Sequence, residues 1–203
     1  MEYRNKRRLL LGISLLLLLL LYAFKNYYFM IRVTGFIFGV FIFYTFDHLF
    51  NLDFKFRHYV YALIVLTFGI LLSPFYYIYP SMDKILHLLM PVLGCIFAYY
   101  VLDTRTDLEF RWKLLITFMT VVTWLVILEL GEYIIDYFWD YKMQGVYLRD
   151  ITGLEKYNLV MDKNDDTMID LMLGFAGTII FVIAKSITNI FTKKFRKNKK
   201  KKR

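Results

Sequence analysis

Six polar residues of this chain have the types and spacings to act together. Asp83 and His87 lie in DKILHLL, Glu129 and Glu132 in VILELGEYII, and Asp166 and Asp170 in DDTMIDLMLGFAG. Spacings of three and four put both members of each pair on one helix face. Carboxylates with one imidazole are the ligand set of Mg²⁺, Ca²⁺, Mn²⁺, Fe or Zn²⁺. Helical bundles build such metal sites from paired positions on facing helices. Asp83, Glu129, Glu132, Asp166 and Asp170 would carry five negative charges, with Lys84 the only cation nearby in sequence. A charge at the centre of a spanning helix costs about 2.5–3.5 kcal/mol on insertion scales. Either some of these groups are protonated with coupled titrations, or a cation is bound. The plain alternative makes Asp83 and Asp166 helix caps and His87 a hydrogen-bond partner for a carboxylate.

The elements that must position these residues are apolar helices. The chain has 203 residues, 59% of them hydrophobic and 20% aromatic, with mean hydropathy +0.47. A soluble domain runs about 45–50% apolar. That excludes a soluble globular enzyme. The lone Cys95 excludes a disulfide framework or a cysteine-based zinc site. A membrane-spanning helix needs about 20 mainly apolar residues. The sequence predicts an all-α, polytopic membrane helix bundle with six spans: 9–24, 28–46, 59–79, 84–102, 114–135 and 167–190. The first follows a basic stretch, 1–8, and has no A-x-A-like cleavage site, so it reads as an uncleaved anchor. Tyr27, Tyr28, Tyr76, Tyr77, Tyr79, Tyr137, Phe138 and Trp139 fall at span ends, where interfacial aromatics belong.

With six spans, 19 of the 26 Lys and Arg residues fall on the side of the two termini. The positive-inside rule then makes both termini cytoplasmic, in a cell-membrane protein. The basic tail, 191–203, supplies much of the net charge of +9. It reads as a contact for anionic lipid headgroups at the bilayer surface. It brings no aromatic platform or folded motif, so no nucleic-acid partner is expected. Oligomeric state is not legible. The long connection 136–166 faces the extracytoplasmic side and reads as an acidic solvated loop with a short interfacial helix. Asp47 and His48, at the inner end of the second span, read as ordinary interface residues.

This topology places the Asp83–His87 pair at the outer start of span four and the Glu129–Glu132 pair at the outer end of span five. Asp166 and Asp170 open span six, again on the outer side. At about 1.5 Å rise per residue, all three lie within about 10 Å of the outer boundary. Pro91 and Gly94 continue the His87 stripe, and Gly174 and Gly177 continue the Asp170 stripe. Small residues let membrane helices approach closely, so Gly94, Gly174 and Gly177 are expected at helix-packing contacts.

The order D-K-x-x-H, E-x-x-E, D-x-x-x-D, G-x-x-G resembles the YjdF-like family of small inner-membrane proteins, over about residues 59–190. The matching positions are Asp83, His87, Glu129, Glu132, Asp166, Asp170, Gly174 and Gly177. More distantly the chain looks like the VanZ-like family, associated with glycopeptide resistance. Tyr133 stands where a Trp is expected, Glu132 where VanZ-like proteins carry Gln, and an expected Arg-Glu pair after the His-bearing helix is not evident. The resemblance implies a fold and a site; the YjdF-like activity is not established.

Three functions fit these residues. The first is an enzyme with a divalent metal, acting on a lipid or lipid-linked envelope precursor. In it Glu129 or Glu132 is base or ligand, His87 is ligand or acid–base group, and Asp83, Asp166 and Asp170 are ligands. The second is an ion- or proton-coupled transporter, the third a non-catalytic scaffold. Transport predicts a polar path into the inner half. The inner halves of spans four to six offer Cys95, Thr117, Thr120, Ser186 and Thr188 but no acid before Asp103.

Overall fold

Lipid offers no partner for a free backbone amide, so apolar stretches of this length must bond internally as helices. The computed structural model describes residues 2–24, 27–139, 143–149 and 157–201, and they form six helices and one β-hairpin. Tyr3–Phe24 (α1) and Tyr27–Leu49 (α2) cover the first two predicted spans, and α1 takes in the basic residues expected to precede it. The third predicted span is not one helix. Phe56–Leu66 (α3) widens into a π turn at Thr67–Leu71 and then tightens into a 3-10 turn at Ser73–Tyr77. Pro74 explains the break, because it has no N–H to donate and disfavours α geometry at the residue before it.

The chain divides into two units, Met1–Tyr79 and Pro80–Arg203. The first is organised around Asp47, which is fully buried rather than an interface residue as its sequence position suggested. Its Oδ2 accepts hydrogen bonds from Lys6 Nζ and Tyr59 OH, both at 2.7 Å. Its Oδ1 accepts the Phe54 N–H at 3.0 Å, and Tyr3 OH donates to its backbone carbonyl at 3.1 Å. Lys6 is itself fully buried and lies 4.4 Å from the Tyr3 ring centroid. One carboxylate thus ties α1, α2 and α3 together. The α2–α3 turn delivers Phe54 through Asn51 and Asp53, both in left-handed geometry (φ 49° and 51°), which Asn and Asp tolerate better than most residues.

The second unit contains Pro80–Arg105 (α4), Phe110–Trp139 (α5), strands Val146–Arg149 (β1) and Tyr157–Met161 (β2), and Lys163–Lys201 (α6). Within these helices, Ser81–Arg105, Phe110–Trp139 and Lys163–Thr192 are long and apolar enough to cross a membrane. Pro91 lies inside α4 without ending it. Cys95 and Tyr99 of α4, Leu114 and Val121 of α5 and Phe181 of α6 form the buried core. The connection after α5 forms an antiparallel hairpin, β1 against β2, where a short interfacial helix was expected. Alternating β-branched, aromatic and aliphatic residues favour the strand pairing. At the far end, α6 runs on through the basic tail to Lys201, so the tail is helical backbone continuous with the apolar segment.

Three glycines were expected at helix contacts, and their surroundings differ. A Cβ at Gly177 would lie 2.1 Å from the Leu88 carbonyl oxygen of α4, so only glycine fits there. At Gly174 it would lie 2.6 Å from a Leu125 methyl, a side chain that can move. At Gly94 the nearest atom is a Val121 methyl at 3.7 Å, which leaves room.

Candidate metal centre

α4 enters the unit at Pro80, which puts Asp83, Lys84 and His87 in its first two turns. α5 brings Glu129 and Glu132 near its end, and α6 brings Asp166 and Asp170 near its start. The close approach at Gly177 and Leu88 sets α6 against α4, so residues one and two turns away face each other. Asp166 and Asp170 are buried, as is Glu129; Asp83, His87 and Glu132 are partly exposed.

Lys84 holds the centre of this arrangement. Its Nζ donates to both oxygens of Asp170 at 2.8 Å, to Asp83 Oδ2 at 3.3 Å and to Asp166 Oδ1. Asp166 Oδ2 accepts the Gly145 N–H at 2.7 Å. His87 lies among carboxylates without a close hydrogen bond to any of them. Its Nε2 is 3.6 Å from Asp83 Oδ1 and 3.9 Å from Asp170 Oδ2. Its Nδ1 is 3.8 Å from Glu129 Oε1. Asp83, His87 and Asp170 each present one donor atom, all within 4.8 Å of one another. Glu129 accepts a hydrogen bond from the Thr167 hydroxyl. Glu132 lies in the field of Glu129 and Asp83, and among the described residues no hydrogen bond or ion pair reaches it.

The six residues singled out by spacing therefore share one end of the unit. Asp166 does not take the expected cap role: the N-terminus of α6 is capped by Asp162, whose Oδ1 accepts the N–H groups of Asn164 and Asp165, both at 2.9 Å.

The profile of a family described as a predicted membrane protein, DUF2238, matches residues 7–189. The chain belongs to that family. It is the YjdF-like family, so the resemblance carried by the D-K-x-x-H, E-x-x-E and D-x-x-x-D residues is borne out. No curated protein and no solved structure matches the chain.

In this DUF2238 chain further contributors to the site lie outside the expected set. Lys84 was counted as a nearby cation but given no place. Asp136 was assigned to a solvated loop, yet it is buried at the end of α5. Its Oδ1 accepts the Met143 N–H at 2.7 Å, and its Oδ2 accepts the Gln144 N–H at 3.1 Å and Lys163 Nζ at 2.9 Å. Gln144 and Gly145 carry the tie onward. Gln144 Nε2 donates to the Thr167 hydroxyl at 3.0 Å, and Gly145 sits at φ +90°, where a side chain would be strained. The hairpin base is thus fixed to α5 by Asp136 and to α6 by Asp166 and Thr167.

Asp136→Ala removes three donor contacts at once. Hydrogen bonds to charged groups contribute about 1.5–3 kcal/mol each. The amides of Met143 to Tyr147 should exchange at least tenfold faster in the variant, while those of the α4 and α6 cores keep their protection. Unchanged exchange at Met143 and Gln144 would show that the hairpin is held by something else.

Proposed function

We propose that the ends of α4, α5 and α6 hold a divalent metal ion, and that the protein is a metal-dependent membrane enzyme acting on a lipid or lipid-linked envelope precursor. One observation carries this reading: the donor atoms of Asp83, His87 and Asp170 converge within 4.8 Å on three different turns of two packed helices. His87 Nε2 faces the two aspartates, and Nδ1 faces Glu129. That is the disposition of a metal-ligating histidine whose second nitrogen is oriented by an outer carboxylate. Charge supports it. Three carboxylates bond Lys84, and Glu129 and Glu132 lie near them, so one cation leaves four negative charges if all five are ionised; a divalent ion reduces that to two.

In this reading Asp83, His87 and Asp170 are the ligands. Glu129 orients His87. Glu132 is the carboxylate left to take a proton from a metal-bound water. Asp166 holds Lys84 and the hairpin instead of the metal. The membrane placement that goes with it is multi-pass in the cell membrane, both termini cytoplasmic and the basic tail near anionic headgroups. The site then opens at the outer leaflet. Transport fits less well, because α4, α5 and α6 carry no carboxylate between this cluster and Asp103 or Glu109 near the opposite ends.

Elemental analysis of the detergent-purified protein, loaded with Zn²⁺ or Mn²⁺ and then desalted, tests the reading. Wild type should retain close to one metal per chain. His87→Ala should retain at least tenfold less, and Glu132→Gln should retain the wild-type content. No retained metal in wild type, or equal retention in His87→Ala, would remove the metal centre and with it the enzyme reading.

A further inference from the structure

We infer that Lys84 is a built-in competitor for the metal: its ammonium group occupies Asp83 and Asp170, and a metal binds by displacing it onto Asp166. This rests on the metal-centre reading above and concerns what controls that site. Two of the three converging ligands, Asp83 and Asp170, are the carboxylates that Lys84 bonds. Lys84 bonds both oxygens of Asp170 and Oδ2 of Asp83, and its charge repels a second cation brought to the oxygens that remain. An ammonium group has three protons. Asp83, Asp166 and Asp170 take them, so Lys84 presents no spare donor to an anionic substrate.

Asp166 has the properties of a resting place. It already bonds Lys84, it is not among the three converging groups, and its other oxygen is fixed by the Gly145 N–H at 2.7 Å. Its carboxylate stays in position when Asp83 and Asp170 turn to a metal. The four-carbon lysine stem is flexible enough for the short move. The exchange also selects by charge. A monovalent ion replacing the ammonium group gains no Coulombic attraction, whereas a divalent ion gains one further unit of charge.

The competent state, with Lys84 off Asp170, is a minor one, and apparent affinity falls by its population. If that population is about 1–10%, removing the competitor tightens binding by roughly 10- to 100-fold. The experiment is titration of the intact detergent-solubilised protein with Mn²⁺ and separately with Zn²⁺, by calorimetry and, for Mn²⁺, by spin resonance. Lys84→Gln should bind both ions at least tenfold more tightly than wild type. Lys84→Arg, which keeps a fixed charge and pairs with carboxylates through two parallel bonds, should bind more weakly than wild type. Wild type that binds metal while Lys84→Gln binds equally or more weakly overturns the inference and leaves the metal centre standing. Metal bound by Lys84→Gln but not by wild type supports the competition and overturns the metal reading for the native chain. No binding by either overturns both. If Lys84→Gln fails to fold, Lys84→Arg decides: affinity equal to or above wild type overturns the inference.

Discussion

Asp47→Leu should cost the first unit about 3–5 kcal/mol, the range for leaving one member of a buried ion pair uncompensated. The substitution takes one partner from three groups together. Lys6, fully buried, loses its 2.7 Å partner; Tyr59 OH loses its acceptor; the Phe54 N–H loses its own. The remaining ion-pair partner of Lys6 among the described residues is Asp53, at 3.3 Å and largely exposed. Amide exchange is the readout. Protection across Tyr3–Phe24 and Phe56–Leu66 should collapse, while the second unit's helices keep theirs. Lys6→Met should cost less, because Asp47 retains two hydrogen-bond donors. Combining Lys6→Met with Asp47→Leu should recover part of the loss, since a buried pair replaced by apolar groups of similar size is often near neutral. Equal protection in Asp47→Leu and wild type would show that the three helices are held by their apolar contacts alone.

Gly177→Ala should disrupt the second unit and its site together. The added carbon would sit 2.1 Å from a backbone carbonyl oxygen of α4, and a backbone atom cannot rotate away as a side chain can. Relief requires α6 to move from α4 by about 1.3 Å or more, the gap between 2.1 Å and an ordinary contact distance of 3.4 Å. Overpacking a tight contact costs about 1–3 kcal/mol and sometimes more. The consequence reaches further than stability. Leu88 follows His87 directly, and Gly177 lies two helical turns below Asp170, so the shift separates the donor atoms at their source. Thermal unfolding and metal retention should both fall in Gly177→Ala. Gly94→Ala is the matched control: its nearest neighbour, at 3.7 Å, leaves space, and both measurements should stay at the wild-type value. Matching results for the two variants would show that the close approach is not what sets the site.

The membrane class and the family were legible from hydropathy and three short motifs, because both rest on local pattern. The i, i+3 and i, i+4 spacing placed Asp83 with His87, Glu129 with Glu132 and Asp166 with Asp170 on shared faces, and their common depth followed from alternating span direction. What stayed hidden depends on contacts between distant segments. Lys84 is one residue from Asp83, about 100° around the helix, so periodicity assigns it to a different face. Its long stem brings the charge back to Asp166 and Asp170. Asp47 and Lys6 are 41 residues apart, and no motif links them. Asp136 lies beyond the apolar run of α5 and reads as loop until Met143 and Gln144 fold back onto it. The third span departs from a single α-helix for a local reason, Pro74, that an apolar count does not weigh.

The length of α6 has a mechanical consequence. At about 1.5 Å per residue, its 39 residues measure roughly 58 Å. The hydrocarbon layer is about 30 Å thick. Even a strongly tilted helix therefore extends well past the apolar slab as a stiff cationic stalk. Rigid charge held away from a surface is felt differently from a flexible tail lying on it. With a Debye length of about 8 Å at physiological salt, the charges in the first turn or two beyond the slab feel an anionic surface most strongly.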